Sequence, residues 1–149
     1  LPSNKCREAA RHFDWVQSVD RAKLLPLLDR ERPAERPPLN VLLQVNIDGE
    51  ASKSGCAPDA VMALADAAAA LPRLRLRGLM CIPEPHPDEA HRRAAFARMR
   101  GLFESLRARH PTADTLSMGM SDDFPLALAE GATLIRVGSA LFGPRPSKA

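Results

Sequence analysis

Residues 115–143 read TLSMGMSDDFPLALAEGATLIRVGSALFG, and their pattern decides the fold class. Two apolar runs, 115–120 and 134–142, are too short for stable helices and rich enough in apolar and β-branched residues to be strands. Between them Ser121 is expected to open a short helix that ends near Gly131, because serine favours helix starts and glycine favours helix ends. A strand, a helix and a second strand in succession imply a parallel pair joined by a crossover.

Side chains alternate between the two faces of a strand. Leu116, Met118 and Met120 therefore oppose Thr115, Ser117 and Gly119, and Ile135 and Val137 oppose Leu134, Arg136 and Gly138. The aliphatic rows should meet helices. The polar rows belong to strands too apolar to be exposed, so they are expected to face an enclosed interior. Arg136 on such a face needs a partner, since a buried unpaired cation is costly.

The same alternation of elements extends toward the N-terminus. Runs 13–19, 41–47 and 75–82 read as strands, and 4–12, 21–31, 57–71 and 88–109 as helices. Pro26 lies near the start of its helix, where proline is tolerated, and RPAERPP at 32–38 is a connector. In 41–47, Val41, Leu43, Val45 and Ile47 share the face expected to pack on helices. Leu42, Gln44 and Asn46 share the other. Five strands alternating with helices give a parallel α/β sheet, either an arc of a barrel or a doubly wound sheet.

Three segments have the composition of a binding site. SMGMSDD at 117–123 runs from a strand through Gly119 to Ser121, and free N–H groups at a helix start attract phosphate. RVGSALFG at 136–143 pairs an inward Arg136 with Gly138, which lets a ligand approach the backbone, and with Ser139, which offers two donors. Each is weak alone. Together they close the last two strands, where phosphate sites of (β/α)₈ barrels gather. VNIDGEASKSG at 45–55 places a polar loop on the same rim, with Asn46 at a strand end. Its Lys53 reads first as an exposed loop cation, because a catalytic lysine needs a desolvated or electropositive setting.

Composition excludes several classes. The chain is 45% hydrophobic and 26% charged, and its net charge of +3 arises from dispersed residues. Dense basic blocks and stacking aromatics are missing, so no nucleic-acid partner is expected. The apolar runs are too short to span a membrane. Three widely spaced cysteines, Cys6, Cys56 and Cys81, form no CxxC pair; reduced thiols in the cytoplasm are expected, with no metal site. The four histidines lack ligand spacing, and no GxSxG, P-loop or GxGxxG pattern occurs.

SNKCREAARHFDWVQSVDR, LNVLLQVNIDGEASKSG, LPRLRLRGLMCIPEP, DTLSMGMSDDF and GATLIRVGSALFGPR resemble consecutive blocks of the YggS-type pyridoxal phosphate homeostasis family. The resemblance covers essentially the whole chain. It implies a (β/α)₈ TIM-type barrel related to the N-terminal barrel of alanine racemase, present here as one partial domain, about strands four to eight. It also implies binding of pyridoxal 5′-phosphate without an established catalytic reaction. By the same resemblance Arg136 faces the pyridine nitrogen. Ser121, Gly138 and Ser139 form the phosphate cup, and Asn46, Met80 and Ser117 line the ring or pocket wall. The family's cofactor lysine lies on its first strand, which is expected upstream of Leu1. Lys5, Lys23, Lys53 and Lys148 do not match it, so no catalytic residue is assigned. The rival expectations are a racemase-like pyridoxal phosphate enzyme and a doubly wound domain for a phosphorylated ligand. Protein partners stay open.

Overall fold

In the computed structural model, which describes residues 1–49 and 54–136, five parallel strands lie side by side in sequence order. They are β1 (Trp15–Val19), β2 (Leu39–Gln44), β3 (Leu74–Met80), β4 (Thr115–Met120) and β5 (Leu134–Arg136). The order never reverses, which removes the doubly wound alternative, because such sheets switch direction at a crevice. Helices α1 (Cys6–His12), α2 (Leu24–Glu31), α3 (Val61–Ala69), α4 (Glu89–Arg109) and α5 (Phe124–Ala129) alternate with the strands.

The curvature of the sheet can be read from one hydrogen bond. Three strand spacings separate β1 from β4, about 14 Å on a flat sheet. Yet the Ser117 hydroxyl on β4 donates to Gln17 Oε1 on β1 at 2.9 Å. Side chains from these strands meet only across the hollow of a curled sheet, the geometry of a partial barrel.

Each face carries its own packing. Val41, Leu43 and Val45 join Leu76, Leu79, Leu116 and Met118 in one helix-side cluster with Leu24, Leu28, Phe96 and Met99. Leu42 and Met80 are also buried but stand outside that cluster, on the concave side. The alternation expected for 41–47 is thus borne out. It fails at the end of β4, where Met120 is 45% exposed. Gly119 has a φ of +100°, and this left-handed residue breaks the period of two.

Local chemistry sets the helix limits. The Asp88 carboxylate accepts from the Ala90 N–H and caps α4, Glu89 lies in the first turn, and Arg107 and Arg109 lie in the last. In α2, Pro26 occupies the first turn, where its missing N–H costs no intrahelical bond.

Two expectations need correction. The strand expected over 41–47 begins at Leu39 and ends at Gln44. Val45 forms an isolated bridge with Cys56, and the Asn46 N–H donates to the Cys56 carbonyl, so Asn46 lies beyond the strand. Nor does Ser121 open a helix. Residues 121–123 form a turn closed by the Met120 N–H, which donates to the Asp123 carboxylate, and α5 starts at Phe124.

Asp66 ties α3 to the end of α4. Its carboxylate accepts from Arg109 at 2.8 and 2.6 Å, and His110 Nε2 lies 2.8 Å away. The Arg109 hydrogen bonds, then that of His110, hold its pKa below the usual aspartate value. A depressed folded-state pKa gives stability that is present above the unfolded value and lost as pH falls through the folded one. The chain should therefore lose stability as pH drops below about 4, and Asp66→Asn should flatten part of that slope. Denaturant titrations at pH 6 and pH 3 check it: equal differences between variant and parent at both values would contradict the linkage.

Candidate functional site

Register alignment puts Gln44 and Met80, the last residues of β2 and β3, in one row with Ser117 in the middle of β4. Paired residues of a parallel sheet share a face, and the Ser117–Gln17 bond identifies this face as the concave one. Ligand sites of α/β folds lie at this end of the strands.

Arg136, the last described residue of β5, reaches into the same hollow. Its Nη1 donates to Ser117 Oγ at 2.5 Å. Its Nη2 passes over β4 and donates to the Cys81 carbonyl at the end of β3, at 2.8 Å. The inward orientation expected from alternation is therefore present. Burial lowers the Arg136 pKa, with the nearby Asp123 carboxylate acting in the opposite direction. A guanidinium nevertheless stays protonated in proteins. Nε–H and one hydrogen on each Nη remain without a partner among the described residues.

Gln44 completes the polar surface. It is 9% exposed, and its side-chain amide makes no hydrogen bond among the described residues. Its polar end faces the hollow, where a ligand with polar edges could meet it. The neighbouring Cys81 thiol is pushed up to about 12, chiefly by burial. It is neutral at physiological pH and no nucleophile.

The expected site residues divide as follows. Met80, Ser117 and Arg136 come together on the concave face. Asn46 lies just beyond β2, and Ser121 sits in the turn after β4 on the same rim. Gly138, Ser139 and Lys53 lie outside the described residues. Gln17 was not anticipated. Its only signal was the alternation of Trp15 and Gln17 against Val16, which places it inward.

A cleft of about 550 Å³ lies at the opposite, amino end of the strands, lined by Trp15, Gln17, Arg77, Thr115, Thr133 and Leu134. Its Trp15 is 36% exposed. The Arg77 guanidinium lies 4.6 Å from the centre of the Trp15 ring and also pairs with Asp114 at 2.7 Å. Arg77 is thus paired within the chain, and the cleft lies away from the ligand end of the fold.

A family model described as alanine racemase, N-terminal domain, matches residues 1–146. The chain belongs to this family. Within the family it is 59% identical, over 145 residues, to the pyridoxal phosphate homeostasis protein of Pseudomonas aeruginosa. That match takes in 97% of this chain and 62% of the bacterial protein. PipY of Synechococcus elongatus PCC7942, solved with pyridoxal phosphate bound, is 40% identical with a TM-score of 0.85. That alignment covers 96% of this chain and 67% of PipY. D-Threonine aldolase from Filomicrobium marinum shares the fold alone, at 22% identity and a TM-score of 0.77 over 95% of this chain and 41% of the aldolase. The sequence blocks' likeness to pyridoxal phosphate homeostasis proteins is thus borne out, as is the partial α/β barrel.

Proposed function

We propose that the concave face of this chain binds pyridoxal 5′-phosphate and that the protein serves the balance of B6 vitamers without catalysing a reaction of its own. The observation that carries this is the inward Arg136, clamped by Ser117 and Cys81 with donors to spare, in the row that holds Gln44 and Met80. These groups fit a flat heterocycle with a hydrogen-bond-accepting nitrogen. When bound, the cofactor supplies an aldehyde and an electron-withdrawing ring.

Arg136 holds the ring nitrogen by donating to it, and it keeps its proton, because a guanidinium is too weak an acid to release one. A ring nitrogen held by Arg136 would receive no proton from it, which suits a carrier better than an enzyme. Ser121 in the turn after β4 is placed to meet the phosphate, with Gly138 and Ser139 as the other half of the cup. Met80 and Asn46 form the pocket wall. Lys5 and Lys23, the lysines among the described residues, are exposed and lie outside every strand. The three cysteines are free and buried, in keeping with a reducing cytoplasm.

Equilibrium titration with pyridoxal phosphate, followed by absorbance, tests the proposal. Saturable binding is expected, and Arg136→Ala should weaken it roughly tenfold to a hundredfold, the worth of a hydrogen bond to a charged group. The bound spectrum should shift as well. Equal affinity and an unchanged spectrum in the variant would overturn the role of Arg136.

A further inference from the structure

We infer that Gln17 is a positioning residue for Arg136, acting through the Ser117 hydroxyl. The direction of the chain of hydrogen bonds follows from donor chemistry. A guanidinium only donates, so Ser117 Oγ must accept from Arg136 Nη1. The serine proton then needs an acceptor of its own, and Gln17 Oε1 stands 2.9 Å away. With the amide turned the other way, two donors would face the hydroxyl and its proton would have no described acceptor. The amide carbonyl thus fixes the hydroxyl rotor and aims the oxygen lone pair at the guanidinium.

The second clamp is backbone, the Cys81 carbonyl on Nη2, and no substitution removes it. Ser117 is fully buried, so water does not replace Gln17 as its partner at no cost. Two anchors on separate Nη atoms set the plane of the guanidinium. Loss of the Gln17 anchor frees one side of that plane. Gln17 is contributed by β1 and Arg136 by β5, the two outer strands of the sheet, so the relay also links the orientation of Arg136 to the curl of the barrel.

The consequence at the cofactor rests on the binding proposed above, whereas the clamp itself does not, and the experiment separates them. Arginine-selective ¹⁵N labelling reports rotation about the guanidinium bonds of Arg136 in the ligand-free chain. The parent should show distinct, slowly exchanging Nη signals. Gln17→Leu should merge them, as should Ser117→Ala, while Gln17→Glu, which keeps an acceptor oxygen, should retain them. Signals in Gln17→Leu identical to the parent's would overturn the inference. Titration with pyridoxal phosphate supplies the second readout. If the parent binds, Gln17→Leu should weaken binding about twofold to tenfold, the worth of one neutral hydrogen bond, and shift the bound spectrum. An unchanged affinity and spectrum would count against positioning. If the parent does not bind, the functional reading fails, and the labelled signals alone decide the role of Gln17.

Discussion

Alanine in place of Gly78 should cost the fold about 4 kcal/mol, a large share of the marginal stability of a folded domain. Gly78 sits inside β3, paired with Leu42 on one side and Thr115 on the other. A Cβ at this position would stand 1.8 Å from the Thr115 carbonyl oxygen and 2.8 Å from its carbon. Neither atom can rotate away, because both are backbone of the neighbouring strand. The φ of +150° adds strain for any residue that carries a Cβ. The variant must therefore push β4 off β3 or twist β3, and Ser117 follows two residues along β4. Urea unfolding checks the prediction, with a loss under about 1 kcal/mol as the contradicting result. Where the variant still folds, its affinity for pyridoxal phosphate should also fall, since Arg136 depends on Ser117 for an anchor.

Arg32→Ala should be comparably damaging, at about 3–5 kcal/mol, although the residue is far from the ligand face. Arg32 follows α2 and is only 2% exposed. Nη1 donates to the carbonyls of Ala10 at 2.9 Å and Phe13 at 2.6 Å, and Nε donates to that of Pro37 at 2.9 Å. One side chain thereby caps the end of α1 and pins the connector that leads into β2. Truncation leaves these carbonyls without their donor, and buried acceptors without partners are expensive. Arg32→Lys should recover only part of the loss, because an ammonium lacks the planar fork that reaches all three. Arg30 supplies the contrast. Its side chain is 69% exposed and meets Glu31 at 3.8 Å, so Arg30→Ala should change stability by less than about 1 kcal/mol. Similar losses for both variants would contradict the account of Arg32.

These two residues also mark where sequence reading stopped. Short apolar runs with β-branched residues, spaced by amphipathic helices, made the parallel sheet legible, and period-two alternation placed Ser117 and Arg136 on the inner face before any coordinates. Alternation is a local property, and so it survives without knowledge of the fold. Sheet curl is not local. A barrel arc and a doubly wound sheet share the same element pattern, and only strand order and the family relationship separate them. Arg32 stands in RPAERPP, a segment whose composition signals a surface connector. Its burial depends on carbonyls contributed by α1, some twenty residues earlier in the chain. Gly78 in LRLRGLM carries no turn signature, since its constraint comes from the neighbouring strand.

The helix start was misplaced for a related reason. SDD offers three good capping residues in succession, and propensity does not choose among them. The Met120 N–H chooses Asp123, which closes the turn and delays α5. Asn46 fell outside its strand because the bridge between Val45 and Cys56 ends β2 early, a long-range pairing that the run 41–47 does not announce. Gln17 is a polar residue in a short strand, and its importance appears only when β1 and β4 curl toward each other.

The central claim is that the concave face holds pyridoxal phosphate with Arg136 at the ring nitrogen. A crystal structure of the chain grown with pyridoxal phosphate tests it most directly. The ring is expected over the row of Gln44, Met80 and Ser117, with its nitrogen about 2.9 Å from an Arg136 nitrogen and its phosphate at the turn that holds Ser121. No lysine should be joined to it. A cofactor bound at the amino-end cleft, or attached to a lysine with its ring nitrogen turned away from Arg136, would contradict the account.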